Sequence, residues 1–218
     1  MVKEFITFVV LKRIYMKIFC IGRNYIDHAK ELNNPIPKQP MIFMKPPTAM
    51  LRDGKPFYYP NFSKEIHYEG ELVVKIAKNG KNIVEEHAKS YYNELTIGID
   101  FTARDIQRKL KEKGHPWEIA KGFDFSAVIG KWIDFTDEMK SSDIDFSLEK
   151  NGNIVQKGNS KDMIFSIDDI IVYLSKFFKL QIGDLIFTGT PSGVGEIKVG
   201  DILNGFIGKD NLMHCEIR

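Results

Sequence analysis

Residues 66–76 alternate apolar and polar side chains, a pattern that predicts one β-strand with two different faces. The apolar positions are Ile66, Tyr68, Leu72, Val74 and Ile76. On the other face Glu69 and Glu71 are expected to point the same way, about 6.6 Å apart along the strand. Gly70 lies between them and would let a bulky group approach the backbone. A divalent metal ion would explain both features, because hard cations bind carboxylate oxygens. A solvated charged face is the alternative.

Length and charge exclude several classes of protein. The chain has 218 residues, 43% of them hydrophobic, which is typical of one large domain. The formal net charge is +2 and the basic residues are scattered, so nucleic-acid binding is not expected. The apolar run at residues 5–11 is too short to span a membrane. Cys20 and Cys215 lie at opposite ends of the chain, which favours a reducing, cytoplasmic location.

The first residues stand apart from the rest of the chain. Met16 begins a sequence that looks like a second, more natural start. Residues 1–15 are therefore expected to be an N-terminal extension or an early-called start, with an extra edge strand as the alternative. We expect residues 16–218 to form a single domain, and deletion of residues 1–15 to leave its activity intact. Many short strands and two or three useful helices predict a β-rich α+β fold.

A short helix predicted over residues 25–32 carries a candidate general base. His28 and Glu31 are three residues apart, and therefore lie on one face of that helix. An imidazole held by a carboxylate is the usual arrangement of a general base. The alternative is a solvated pair on the surface of a short helix.

Another candidate carboxylate occurs at the end of a strand predicted over residues 96–101. Asp100 lies opposite the apolar stripe of that strand, and Thr102 is predicted to begin a helix in a capping-box-like pattern. Arg104 and Gln107 are neighbours on this helix. A strand end followed by such a helix start is well placed to bind an anion. The alternative for Asp100 is a turn or cap residue.

Two further features suggest a buried polar site. Lys121 lies among apolar residues, where a lysine needs a partner. The loop at residues 187–195 follows a predicted strand and is rich in glycine and hydroxyl groups, so its N–H groups could hold a carboxylate or a phosphate. A tight structural turn is the alternative for that loop.

Local patterns predict several turns and one long helix. Asn79-Gly80 and residues 150–153 each have the sequence of a hairpin turn. Ser166 is a predicted N-cap, followed by an amphipathic helix that extends to about Leu180.

Separated segments of the chain, from Met16 to the C-terminus, match one family in order. They are Gly22-Arg23-Asn24-Tyr25 with His28 and Glu31, then residues 67–71, 100–107, 113–121, 163–167 and 188–195. On these residues the chain resembles the fumarylacetoacetate hydrolase family, closest to its small fumarylacetoacetate hydrolase domain-containing proteins. Residues 1–15 fall outside the resemblance. It implies a mixed β-roll with a few short helices, a catalytic domain over residues 16–218, and a homodimer.

The resemblance also implies a role for ten residues. Glu69, Glu71 and Asp100 would bind Mg²⁺ or Mn²⁺, with Ca²⁺ as a replacement in crystals. Lys121 would lie beside that metal and contact substrate. His28 and Glu31 would form a catalytic dyad on a mobile lid. The remaining residues would contact substrate oxygens: Arg23, Arg104, Gln107 and Thr190.

The implied activity is metal-dependent chemistry on small 2-oxo acids. Hydrolysis of the C–C bond of acylpyruvate-type 1,3-dioxo acids is the first expectation, through a water activated by His28 and Glu31. Oxaloacetate decarboxylation, oxaloacetate tautomerisation and a 2-hydroxyhepta-2,4-diene-1,7-dioate isomerase-like reaction are the alternatives. A non-catalytic dicarboxylate binder is the alternative from outside the enzymes.

Overall fold

The computed structural model describes residues 16–31, 35–52 and 54–218, so the predictions for residues 1–15 lie outside the described residues. The strands of these ranges are β1 (Ile18–Gly22), β2 (Met41–Lys45), β3 (Met50–Leu51), β4 (Ile66–Tyr68), β5 (Gly70–Ile76), β6 (Tyr92–Asp100), β7 (Thr102–Ala103), β8 (Ala127–Ile129), β9 (Ile133–Asp134), β10 (Asp145–Lys150), β11 (Asn153–Asn159), β12 (Leu185–Phe187), β13 (Gly195–Glu196), β14 (Ile202–Ile207) and β15 (Asp210–Glu216).

The helices of the same ranges are short. They are α1 (Ile26–Glu31), α2 (Glu85–Ala88), α3 (Arg104–Glu112), α4 (Glu118–Lys121), α5 (Asp137–Lys140) and α6 (Ile167–Phe177), with 3-10 turns at Pro47–Ala49, Lys89–Tyr91 and Ser160–Asp162. Within the described part of the chain, no helix combines the length and the apolar character needed to cross a membrane.

Three sheets organise these strands. The largest sheet of the described residues has eight strands in the order β2-β1-β12-β5-β6-β8-β3, with β9 added beside β6. The β1–β12 and β3–β8 pairs are parallel and the other pairs of this sheet are antiparallel. A four-stranded sheet has the order β11-β10-β14-β15, and a three-stranded sheet has the order β13-β4-β7. The predicted β-rich α+β class and the mixed β-roll are confirmed.

Helix α6 and the β10–β11 hairpin follow their local sequence signals. Ser166 accepts a hydrogen bond from Asp169 N and completes a capping box, and the apolar face of α6 is buried in the main core. The helix ends at Phe177, three residues before the predicted end. The hairpin turns at Asn151 and Gly152, with φ of 54° and 78°, the backbone that Asn and Gly adopt most readily.

Residues 66–76 form two strands in different sheets, so the prediction of a single strand is wrong. β4 pairs with β7 and β13, whereas β5 pairs with β6 and β12. The chain changes sheets at Glu69, the residue between the two strands. The second face of β5 is also covered, because Val73 belongs to an apolar cluster with Ile18 and Phe187. The solvated-face alternative for this stretch is therefore wrong.

Two other local predictions gave way to pairing with distant residues. Thr102 was expected to begin a helix, but it pairs with His67 as part of β7, and α3 begins at Arg104. Asn79-Gly80 was expected to return the chain in a hairpin. Gly80 instead forms an isolated bridge with Leu180, and the return to β6 follows α2.

Candidate active site

Three carboxylates meet at the ends of neighbouring strands. Glu71 lies near the start of β5 and Glu69 immediately precedes that strand, while Asp100 is the last residue of β6. The pairing of β5 with β6 sets Gly70 opposite Ile99, and Asp100 N donates to Glu69 O at 2.8 Å. One oxygen from each carboxylate lies within 4.8 Å of the others. All three side chains are buried, so the register of two strands creates a buried acidic cluster.

The cluster has the donor set of a divalent metal centre. Asp100 Oδ1 is buried and accepts no hydrogen bond from the described residues. Lys45 Nζ lies 2.7 Å from this oxygen as an ion pair, at an angle that does not make a hydrogen bond. Burial raises the pKa of Glu71 well above its usual value, and the charges of Asp100 and Glu69 raise it further. A buried oxygen without a donor, among carboxylates that repel one another, fits a hard cation such as Mg²⁺ or Mn²⁺.

Lys121 ends α4 and joins two of the carboxylates. Its Nζ donates to Glu69 Oε2 at 2.8 Å and to Asp100 Oδ2 at 2.6 Å. Burial alone would lower the pKa of Lys121, but the charges of Asp100 and Glu69 outweigh burial and raise it. Burial alone would raise the pKa of Glu69, but Lys121, Arg104 and His28 outweigh burial and lower it. The partner that the sequence required for Lys121 is therefore this pair of carboxylates.

A second buried lysine supports the cluster and was missed in the sequence. Besides its ion pair with Asp100, Lys45 Nζ lies within hydrogen-bond range of the main-chain oxygens of Phe101, Lys121 and Ser126, and 2.9 Å from Ser126 Oγ. The side chain of Lys45 is fully buried. It thus joins the end of β6 to α4 and to the residue before β8. The signal that could have found it is the one used for Lys121, a lysine within an apolar stretch.

Helix α3 directs a cation and an amide toward the carboxylates. Arg104 Nη2 donates to Glu69 Oε1 at 2.5 Å, and Nη1 donates to Gln107 Oε1 at 2.6 Å. Arg23 lines the same cleft, with φ of 59°, a backbone conformation that non-glycine residues rarely adopt. Lys111 lines the same cleft, and burial together with the charges of Arg23 and Arg104 lowers its pKa. Arg104, Arg23 and Lys111 together give the cleft the positive charge expected of an anion-binding site.

The predicted dyad lies on α1. His28 Nδ1 is 3.3 Å from Glu31 Oε2, and Gly193 N donates to Glu31 Oε1 at 3.0 Å. Burial lowers the pKa of His28, against the opposing charges of Glu69 and Glu31. Asn24, a predicted helix cap, instead binds Phe165 through its amide and thereby anchors the entry to α1. The buried position of His28 therefore favours the neutral form of its imidazole.

The loop at residues 187–195 holds a carboxylate that belongs to the protein. Gly189 N donates to Glu71 Oε2 at 2.7 Å, and Thr190 Oγ1 donates to Gly70 O at 2.9 Å. The expectation that its N–H groups could hold a carboxylate is met by Glu71. The loop contacts both the acidic cluster and, through Gly193, the dyad.

One cleft collects the predicted residues. Nine of the ten line it: Arg23, His28, Glu69, Glu71, Asp100, Arg104, Gln107, Lys121 and Thr190. Glu31 reaches the cleft through His28. The cleft encloses about 440 Å³, including space open to solvent, and its apolar wall contains Met41, Phe43 and Trp117. These three residues were missed, because apolar residues on strands and near turns carry no signal that separates a cleft wall from core.

The comparisons with known proteins agree with this architecture. The family profile described as "Fumarylacetoacetate (FAA) hydrolase C-terminal" matches residues 17–217. The mitochondrial oxaloacetate decarboxylase of Dictyostelium discoideum is 41% identical over 204 residues, covering 92% of this chain and 93% of the relative. The mitochondrial oxaloacetate tautomerase fahd-1 of Caenorhabditis elegans is 39% identical over 192 residues, covering 88% and 90%.

A solved structure extends the likeness to three dimensions. The crystal structure of fumarylpyruvate hydrolase from Pseudomonas aeruginosa, in complex with Mn²⁺ and pyruvate, matches with a TM-score of 0.86 and 36% sequence identity. The match covers 92% of this chain and 88% of that chain. Fold, sequence and the buried acidic cluster thus lead to one assignment. The chain belongs to the fumarylacetoacetate hydrolase family.

Proposed function

We propose that this protein is a divalent-metal-dependent enzyme that moves a proton at the carbon beside the keto group of a small 2-oxo acid, with oxaloacetate tautomerisation as its reaction. The observation that carries the proposal is the placement of His28, with Glu31 behind it, in the same cleft as the buried acidic cluster. Relatives named as oxaloacetate tautomerase and decarboxylase support this substrate class. They also move tautomerisation ahead of the acylpyruvate hydrolysis expected from the sequence.

Glu69, Glu71 and Asp100 would hold the metal ion. When bound, the ion would supply a Lewis acid that polarises the keto group of the substrate. Two of the three carboxylates, Glu69 and Asp100, already contact cations, which are Lys45, Lys121 and Arg104. The positive charge of an added divalent ion would therefore be available to attract an anionic substrate. Arg23 and Lys111 add positive charge to the same cleft.

His28 has the features of a proton carrier. Ionised Glu31 can only accept hydrogen bonds, so the His28 nitrogen facing it, Nδ1, carries the hydrogen. His28 Nε2 then has a free lone pair for the proton of the substrate carbon. In tautomerisation His28 takes this proton from carbon, and the proton is returned to the keto oxygen to give the enol. Lys121 stabilises the negative charge that develops on that oxygen.

Hydrolysis of an acylpyruvate is the second candidate. Because Gly193 N holds Glu31, the dyad is oriented to activate a water molecule as well as to deprotonate carbon. The water would add to the distal carbonyl and the C–C bond would break. The pyruvate enolate would leave and take up a proton, to yield pyruvate and a carboxylic acid. The similarity to a fumarylpyruvate hydrolase supports this candidate.

Turnover of oxaloacetate and acetylpyruvate, each with Mg²⁺ or Mn²⁺, tests the proposal. We expect metal-dependent keto–enol interconversion of oxaloacetate, followed by ultraviolet absorbance, without stoichiometric pyruvate release. Pyruvate release from oxaloacetate would replace tautomerase with decarboxylase, and cleavage of acetylpyruvate would favour the hydrolase. Binding of oxaloacetate without turnover of either compound would overturn the enzymatic proposal in favour of a dicarboxylate binder.

A further inference from the structure

The peptide unit of Gly70 separates the two glutamates of the acidic cluster, and it is enclosed by a ring of hydrogen bonds. Gly70 N donates to Gln156 Oε1 at 2.8 Å. Gln156 Nε2 donates to Thr190 Oγ1 at 2.8 Å, and Thr190 Oγ1 donates to Gly70 O at 2.9 Å. Both side chains are only 2% exposed. The three residues therefore form a closed, buried cycle with each donor matched to one acceptor.

The cycle determines what the Thr190 hydroxyl can do. A hydroxyl group has one hydrogen, and this hydrogen is donated to Gly70 O. The oxygen in turn accepts from Gln156, which has no other role among the site residues already described. Thr190 Oγ1 thus has no hydrogen left for an oxygen of the substrate. The substrate contact that the family resemblance implies for Thr190 stays a prediction, and in this structure the hydroxyl hydrogen is donated to Gly70 O.

The missing side chain of Gly70 leaves room for this arrangement. A Cβ at this position would lie 3.1 Å from Gln156 Oε1 and 3.3 Å from Leu148 Cβ. The bulky group that the missing side chain admits is therefore Gln156, which comes from β11 in the four-stranded sheet. Gln156 Nε2 also donates to Pro191 O at 3.1 Å. A single amide thus ties the first residue of β5 to the loop at residues 187–195.

We propose that Gln156 and Thr190 are positioning residues, which hold the Gly70 peptide and thereby orient Glu69 and Glu71 toward one ion. Neither of the two peptide groups that join Gly70 to the glutamates can rotate without breaking a hydrogen bond in a buried environment, and such breaks are costly. Residues that orient metal ligands typically change metal affinity or activity by about 10- to 100-fold when mutated. This inference rests on the metal centre of the proposed function.

Titration of the metal-free, full-length protein with Mn²⁺ tests it by isothermal titration calorimetry, without substrate. We expect Thr190→Val and Gln156→Leu each to weaken Mn²⁺ binding by about tenfold or more. The double variant should lose little beyond the larger single loss, because both changes open the same cycle. Thr190→Ser keeps the hydroxyl and should bind Mn²⁺ within about threefold of the wild type, a smaller change than the loss of about tenfold or more expected of Thr190→Val.

Thr188→Val is the matched control. Thr188 Oγ1 also donates to a main-chain oxygen of β5, Leu72 O at 2.9 Å, but it lies outside the cycle. The Thr188→Val substitution should leave Mn²⁺ affinity unchanged. If Gln156→Leu does not fold, as judged by thermal unfolding, the difference in Mn²⁺ affinity between Thr190→Val and Thr190→Ser tests the positioning role by itself.

Two results would overturn the inference. The first is Mn²⁺ affinity at the wild-type level in Thr190→Val with a raised KM, which would make the hydroxyl a substrate donor. The second is additive losses in the double variant, which would mean that the two side chains act separately. Failure of the wild type to bind Mn²⁺ would instead remove the proposed metal centre, so the two failures are distinguishable.

Discussion

The acidic cluster and the His28–Glu31 dyad face the same cleft but are built in different ways. The cluster lies at strand ends inside the eight-stranded sheet, and Lys45, Lys121 and Arg104 contact it at 2.5–2.8 Å. The dyad lies on α1, a helix of six residues, with a separation of 3.3 Å and a Glu31 side chain that is one-third exposed.

The two regions therefore depend on different interactions to hold their residues in place. Isolated helices as short as α1 are not stable in water, so its position depends on tertiary contacts. Asn24 at its start and the Gly193 N–H at its end supply such contacts. The cluster, by contrast, is held by strand register and by buried ion pairs. We therefore expect the metal-binding half to be rigid and the proton-transfer half to be more easily displaced.

The largest effect is expected from Asp100→Asn. Lys45 and Lys121 would lose the charge of a shared, fully buried anion, which typically costs about 3–5 kcal/mol of unfolding free energy. Mn²⁺ binding and turnover should both be lost. Urea unfolding of the metal-free protein and Mn²⁺ titration measure the two effects. Glu94→Gln is the control, since its pair with Lys75 is partly exposed and should contribute at most about 1 kcal/mol. Retained Mn²⁺ affinity in Asp100→Asn would contradict the assigned ligand set.

A smaller but more selective effect is expected from His28→Gln. Loss of a general base typically lowers kcat by about 100- to 10,000-fold. Mn²⁺ affinity should stay near that of the wild type, since His28 is not one of the three clustered carboxylates. Steady-state kinetics with oxaloacetate and Mn²⁺ titration separate the two readouts. Weakened Mn²⁺ binding in this variant would show that the acidic cluster and the dyad are coupled, and would contradict their independence.

The smallest expected effect is a displacement of the acidic limb of the pH profile of kcat toward lower pH. Burial lowers the pKa of His28 below its ordinary value of about 6.5, despite the opposing charges of Glu69 and Glu31. The neutral base is present above its lowered pKa, so kcat should persist below pH 6.5 and fall as the pH drops through that pKa. Stability should fall between about pH 6.5 and the lowered pKa, because in that interval the unfolded chain binds a proton that the folded protein does not. An acidic limb of kcat at or above pH 6.5, absent in His28→Gln, would contradict this prediction.

The sequence by itself determined those features that depend on neighbours in the chain. The capping box at Ser166 and Asp169 set the start of α6, and Asn151 with Gly152 set the β10–β11 turn, because these hydrogen bonds and φ values are local. The ten candidate site residues were also named from the sequence through the family resemblance, and nine of them line the cleft. Their chemical roles stay predictions.

Only the tertiary structure decided how these elements meet. Pairing with His67 held Thr102 in a strand against its local helix signal, since a buried ladder satisfies more backbone groups than a cap does. The contact of Gln156 with Gly70 joins residues 86 positions apart. The ion pair of Lys45 with Asp100 also joins residues far apart in the sequence. Such contacts depend on burial and on sheet pairing between distant segments, and for this reason local patterns did not reveal them.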